Sequence, residues 1–272
     1  MDFTNILFRC SQLGHLMTEP RSKAAKDAGE LSETTKTHLI DVYVQNKYGR
    51  QTDISNKYIT KGLMVEEDSI TLYSRVKKTF FKKNEKHLSN EFIKGTPDLF
   101  TGHTIGQAEI IIDIKSSWDI FTYFRNHTKG VSDLYYWQLQ GYMALTGAQS
   151  AKLAFCLVDT PGTLILDAQR KLMWQMNAGT EENEDYKKAC EELEVAMIFS
   201  DIPMSERVME FNIERDNEGI ERLYSKIKTA RLFLNELESS LNRSVILAAH
   251  DEEVNATVIE PINILSKLKK IS

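Results

Sequence analysis

Asp98, Asp113 and Lys115 lie in the segment KGTPDLFTGHTIGQAEIIIDIKSSW, residues 94–118, where ordinary core would carry only apolar side chains. Asp98 follows a proline and opens a short apolar stretch, whereas Asp113 and Lys115 interrupt a run of isoleucines that reads as a buried strand. Successive side chains of a strand alternate faces, so Ile110, Ile112 and Ile114 point one way and Glu109, Ile111, Asp113 and Lys115 the other. Asp113 and Lys115 are then same-face neighbours roughly 7 Å apart along the strand. A carboxylate and an ammonium in such surroundings are costly unless paired or liganded. A simple half-buried ion pair is the plain structural reading. The turn containing Gly102 and Gly106 opens a second one, because it lets a strand at 98–101 fold back on 108–115 and bring Asp98 beside Asp113. Two adjacent carboxylates repel and raise one pKa unless a cation sits between them. All-oxygen ligands select a hard cation, Mg²⁺ or Mn²⁺.

Polar residues outside this segment extend the pattern. KGLMVEED carries Gly62 and Glu66, and QLQGY carries Gln138 and Tyr142, which at a spacing of four share one face of a predicted helix. Alone, that pair reads as the polar side of an amphipathic helix. In order along the chain, Pro-Asp followed by Asp-x-Lys resembles the signature of the PD-(D/E)xK nuclease superfamily. Gly-x-x-x-Glu before it and Gln-x-x-x-Tyr after it are similar to the RecB-like branch, with its YqaJ- and lambda-exonuclease-type phage exonucleases. FRCSQLGHLMT also resembles the opening Arg-x-Ser segment of YqaJ-type enzymes, and IPMSERVMEFNIERDNEGIERLYSKI their last strand and helix. The resemblance covers most of residues 5–240.

The resemblance implies an α/β, restriction-endonuclease-like core in which a central mixed β-sheet is flanked by helices. It implies Mg²⁺, with Mn²⁺ able to substitute, held by Glu66, Asp98, Asp113 and the backbone carbonyl of Ile114. Lys115 would orient the attacking water or stabilise developing negative charge. Gln138 and Tyr142 would contact the phosphate or stand behind the groups that do, keeping Lys115 and the backbone in register. Arg9 and Ser11 would receive the terminal 5′-phosphate of DNA. The expected activity is exonucleolytic hydrolysis of duplex DNA ends from the 5′ side in phage-type recombination. A single-strand annealing protein as partner and a homo-oligomeric assembly go with that expectation. A structure-specific endonuclease or a single-strand exonuclease on the same fold is the alternative. A protein of this fold that only binds DNA or a recombination partner is a third reading. The joint presence of Glu66, Asp98, Asp113 and Lys115 speaks against it. An iron–sulfur cluster, found in several RecB-like relatives, needs four cysteines, and the chain has three, Cys10, Cys156 and Cys190.

Residues 75–86, RVKKTFFKKNEK, are basic, with Arg75, Lys77, Lys78, Lys82, Lys83 and Lys86 against one glutamate. They read either as a solvated face or as part of a DNA path, for which Lys77, Lys78 and Lys82 are the candidates. WDIFTYFRNH, residues 118–127, sets Arg125 among aromatics that could stack on bases, although core packing is the more ordinary reading of Phe121 and Phe124. Nothing in the spacing of His103 or His127 makes either a ligand. A net charge of −5 argues against a basic coat over the whole surface while leaving a local basic groove open. No stretch is long and apolar enough for a membrane span, no signal peptide opens the chain, and unpaired cysteine spacing points to a reducing cytoplasm, that of a bacterial host if the chain is phage-encoded.

The elements expected to position these residues are helices at 4–17, 31–47, 57–80, 132–146, 180–199 and 217–240, with strands at 98–101, 108–115, 152–160 and 207–216. With 272 residues, 42% of them apolar, and no Gly/Ser-rich linker, the chain reads as one domain, with 241–272 as a peripheral extension.

Overall fold

The computed structural model describes residues 1–51 and 56–254, with 243–254 as helical backbone only. The first half runs β1 (Phe8–Arg9), α1 (Leu13–Leu16), α2 (Lys23–Asp27), α3 (Glu33–Tyr48), α4 (Lys57–Met64), α5 (Glu66–Lys77), β2 (Leu88–Ser89), β3 (Ile93–Gly95) and β4 (Leu99–Gly102). The second half runs β5 (Ala108–Ser116), α6 (Ile120–Lys129), α7 (Asp133–Thr146), β6 (Ser150–Cys156), α8 (Gly162–Met176), α9 (Glu184–Val195), β7 (Val208–Glu214) and α10 (Asn217–Val254). A mixed four-stranded sheet, ordered β4-β5-β6-β7, is flanked by helices, and a small sheet ordered β1-β3-β2 lies beside it. The fold class is the expected one.

The hairpin is present: β4 runs antiparallel to β5 with Leu99 opposite Ile112, and β5 runs parallel to β6 with Asp113 opposite Leu153 and Lys115 opposite Phe155. Strand alternation sorts the two faces of β5. Ile112 and Ile114 pack with Leu99, Ala154 and Cys156 against Val65, Ile70, Leu72 and Tyr73 of the α4–α5 segment. Ile111, Leu153 and Phe155 join the larger core with Leu139 and Met143 of α7, Leu13 and Leu16 of α1, and Leu223, Ile227 and Leu234 of α10. Each fully buried aliphatic side chain contributes roughly 1.5–3 kcal/mol, so β5 is held firmly from both sides.

Local signals explain the main helices. Ser132 caps α7 by accepting from the Tyr135 amide, and Gly147, at φ 81°, ends it in the left-handed conformation that glycine adopts without steric cost. Ser32 caps α3 in the same way through Thr35.

Several expected elements differ. The short helix or turn-helix expected at 4–17 is a turn and helix only from Cys10, a 3-10 turn followed by the short α1, because Phe8 and Arg9 pair as β1 with Ile93 and Lys94 far along the chain. The helix expected at 57–80 breaks at Val65 into α4 and α5 and ends at Lys77, with Lys78 left-handed at φ 52°. Glutamates 181 and 182 precede α9, which starts at Glu184 under an Asn183 cap. The last helix continues to Val254. The rest of the expected 241–272 extension lies outside the described residues.

Candidate active site

β5 presents Asp113 towards α7, and α7 answers with Gln138. The Gln138 side-chain amide donates to Asp113 Oδ1 and to the Tyr142 hydroxyl, both at 3.0 Å. Helical spacing of four makes this double contact feasible, since both side chains project from one face of α7. Asp113 is fully buried, and no hydrogen-bond donor is aligned on its Oδ2. The nearest cation to that oxygen is the Lys115 ammonium, 2.6 Å away, which also lies 5.3 Å from the centre of the Tyr135 ring. Asp98, on the proline turn that opens β4, accepts from the Ile114 backbone amide at 2.8 Å, so its carboxylate sits against the strand between Asp113 and Lys115. The Asp98 carbonyl in turn accepts from the Asn84 amide, fixing the turn.

Burial, and then the Asp113 carboxylate, raise Asp98 to about 7, against the pull of Lys115 and the Ile114 amide in the other direction. Burial works against the Lys115 ammonium, but Asp113 and Asp98 outweigh it and hold the lysine protonated above its usual range. Burial and the same two carboxylates push the Tyr142 hydroxyl up, so it stays neutral. Two carboxylates and one ammonium in a low-dielectric pocket leave an excess of negative charge that a hard cation would neutralise. Asp113 Oδ2, met only by the Lys115 ammonium, and the raised Asp98 fit such an ion.

Glu66 opens α5, and its carboxylate pairs with Lys83 at 2.7 Å. Among the described residues no three His, Cys, Asp or Glu side chains converge to hold a metal. The Ser69 hydroxyl, one turn further on, meets that of Ser116 at 2.7 Å and ties α5 to the end of β5.

Arg9 and Ser11 line a second cleft of about 430 Å³ with His87, Lys94, Thr96 and Tyr142. Arg9 and Lys94 face each other in register on the paired strands β1 and β3. Neither makes an ion pair among the described residues, and no carboxylate lines the cleft. Tyr142 lines this cleft while bonding to Gln138, so it joins the two sites.

Among the residues considered for a DNA path, Lys78 and Lys82 are exposed. Lys77 is not free: its ammonium pairs with Glu210 of β7, which also takes the Tyr73 hydroxyl. Arg125 is exposed on α6. Beside it Phe121 and Phe124 are 60% and 57% exposed, which overturns the core-packing expectation. Their helix buries Tyr123 instead, whose hydroxyl donates to the Glu206 carbonyl. Sequence reasoning gave no site role to Lys83 or Ser69. Lys83 lay in the basic run, but nothing in its spacing aims it at Glu66.

No protein-family model matches the chain, and no curated protein does. Solved structures do. A phage-related exonuclease from Haemophilus somnus 129PT superposes with a TM-score of 0.67 at 29% identity, covering 87% of this chain and 97% of its own. The alkaline exonuclease LHK-Exo from Laribacter hongkongensis gives 0.55 at 17% identity, covering 90% of this chain and 94% of its own. The same enzyme in complex with dAMP gives 0.55 at 18%. In fold the chain is similar to these exonucleases, which is consistent with the PD-(D/E)xK resemblance carried by its motifs.

Proposed function

We propose that the protein is a Mg²⁺-dependent DNA exonuclease that hydrolyses duplex ends from the 5′ side. The observation that carries this reading is the packing of Asp98, Asp113 and Lys115 on one hairpin, anchored by Gln138. Asp98 and Asp113, with Glu66 once released from Lys83 and the Ile114 carbonyl, are the groups suited to hold the ion. Bound there, Mg²⁺ supplies Lewis-acid polarisation of the scissile phosphate and a more acidic water. Lys115, kept protonated, stabilises negative charge on the phosphate and orients the water. Gln138 fixes the Asp113 carboxylate from behind, and Tyr142 stays neutral as its partner.

Arg9, Ser11 and Lys94 supply the 5′-end cleft, where two cations without a carboxylate partner favour a terminal phosphate. Lys78, Lys82 and Arg125 contribute contacts along the duplex, and the exposed Phe121 and Phe124 offer faces for base stacking. The complex of LHK-Exo with dAMP supports a nucleotide-binding role on this fold. Resection of duplex ends would serve phage-type recombination, with a single-strand annealing protein taking up the exposed strand and a homo-oligomer aiding processivity.

Digestion of 5′-phosphorylated linear duplex beside covalently closed circles, with and without Mg²⁺, tests the reading. The linear substrate should be consumed only with Mg²⁺ and the circle spared. Lys115→Ala should lose cleavage, by about 100-fold or more, yet still bind DNA. Wild-type turnover by that variant sinks the assignment, and cleavage of the circle favours the endonuclease alternative. End-labelled duplex reads the polarity.

A further inference from the structure

Lys61, on α4, is completely buried, and its ammonium has no carboxylate within ion-pair distance among the described residues. It donates instead to two backbone carbonyls, Ser117 at 2.7 Å and Trp118 at 2.9 Å, and lies 5.4 Å from the centre of the Phe199 ring. A charge placed this deep costs more than an apolar side chain of similar volume would, so fold stability alone does not call for it. Its two acceptors sit where the backbone leaves the central sheet just after Lys115. Those carbonyls have left the sheet ladder and need donors. The Thr160 hydroxyl reaches the Trp118 carbonyl at 3.3 Å, and the Ser117 amide donates to the Cys156 carbonyl at 2.9 Å. The stretch is thereby clamped from α4 on one side and from β6 and the segment after it on the other. α4 runs directly into Val65 and the helix that starts at Glu66.

We propose that Lys61 is a positioning residue for the candidate catalytic strand: it fixes the end of β5, and so Lys115 and Asp113, at a set distance from the helix that begins at Glu66. The inference rests on the nuclease reading above. A lysine suits this task better than a shorter donor, because its stem crosses the apolar layer between α4 and the sheet while its tip serves two carbonyls at once. Burial lowers Lys61 to about 8, with Asp119 and Asp159 pulling it back up. The neutral amine retains two hydrogens for two carbonyls, so the clamp persists through that titration. Lys61 therefore acts by holding geometry, not by moving a proton.

The test is steady-state digestion of 5′-phosphorylated linear duplex by Lys61→Met and Thr160→Val, with Mg²⁺ titrated and folding followed by circular dichroism. Lys61→Met keeps the volume and removes the donor. It should lower kcat about 10- to 100-fold with KM for DNA within about twofold, raise the Mg²⁺ needed for half-maximal rate, and do so equally below and above about pH 8. Thr160→Val, which removes one weaker donor from the same carbonyl, should lower kcat about two- to fivefold in the same pattern and keeps the test decisive should Lys61→Met fail to fold. A folded Lys61→Met with wild-type kcat and Mg²⁺ dependence overturns the proposal. So does an unchanged kcat in Thr160→Val where Lys61→Met does not fold. Lys115→Ala, run alongside, separates the cases. If it remains active the nuclease reading has failed, whereas if it is dead and the other two variants are unaffected only the role of Lys61 has.

Discussion

At the scale of single residues, Gln138 bears the clearest consequence, since one amide nitrogen serves both Asp113 Oδ1 and the Tyr142 hydroxyl. Gln138→Ala leaves a buried carboxylate oxygen without its donor and frees the Tyr142 ring. Turnover should fall about 10- to 100-fold with DNA affinity kept, and Gln138→Glu should be worse than alanine because it adds a third carboxylate. Single-turnover digestion and a filter-binding assay would check both, and an unaffected Gln138→Ala would remove the residue from the site. His38 carries a stability prediction. Burial, then the neighbouring His15 ring 5.1 Å away, lowers it to about 4, and its Nε2 is buried without a hydrogen-bond partner. A folded-state value below the unfolded 6.5 means that the unfolded chain binds the extra proton in that window. His38 therefore supports the fold fully above about 6.5, and that support is lost as pH falls towards about 4. Allowing for partial solvent screening, the loss should be about 1–2 kcal/mol, read as a falling urea midpoint, and His38→Gln should flatten the decline. Asp98, Asp113, Lys115, Gln138 and Tyr142 were legible only as a set: each alone had a plain reading, an ion pair or the polar side of a helix, and their order along the chain is what joined them. Lys61 and Lys83 were not legible, because a lysine in a helix or a basic run looks solvated until the fold shows what it touches.

Elements place those residues, and one close placement is where β3 meets α7. A methyl group on Gly95 would lie 2.7 Å from Tyr142 Cε1 and 3.0 Å from Cys10 Sγ. A methyl group on Gly141 would meet Leu13 Cδ1 at 2.6 Å and the same sulfur at 3.0 Å. Gly95 is therefore held by close approach to a ring, whereas at Gly141 the nearest atom is the flexible end of Leu13. Gly95→Ala should cost about 1–3 kcal/mol in chemical denaturation, as overpacking does, and should also depress turnover because the displaced ring is the partner of Gln138. Gly141→Ala displaces the flexible end of Leu13 instead and should cost stability with a smaller effect on rate. Equal turnover losses from the two would show that Tyr142 has no special link to the site. Long periodic segments such as α7 and β5 were readable from their own residues, since a cap or alternation marks them. α6 and α8 were not assigned. α8 follows Thr-Pro-Gly, which reads as the turn closing β6 when it is in fact the helix start, with Pro161 at the cap. β1 was hidden for a different reason: two residues carry no pattern, and their strand conformation comes from β3.

Across the whole molecule, α10 ties the chain's first residues to the rest. Arg231 is almost fully buried, donates to the Ile6 carbonyl through Nε and Nη2 at 3.1 and 2.9 Å, and reaches the Glu91 carbonyl at 2.6 Å. Ile6 lies just before β1 and Glu91 just before β3, so one guanidinium links the entries to the two strands that carry Arg9 and Lys94. Asn235 accepts from the Phe3 amide, and Glu238 takes the Met1 amino group, Lys47 and the Tyr43 hydroxyl. Such long-range contacts leave no trace in sequence periodicity, because each needs the finished fold to bring its partners together. They also make the cleft of Arg9 and Lys94 depend on a helix that does not line it. Arg231→Met retains most of the apolar bulk but strands two buried carbonyls, which should cost about 2–4 kcal/mol of stability. Its functional mark should be selective: KM for 5′-phosphorylated ends rises about 5- to 20-fold while ends with a 5′-hydroxyl change little, because only the paired cations are displaced. kcat at saturating DNA should stay within about twofold, since β5 and α7 are held by other contacts. A parallel loss on both kinds of end, or a fall in kcat with KM unchanged, would mean that α10 supports the candidate catalytic hairpin directly and that the cleft does not read the phosphate.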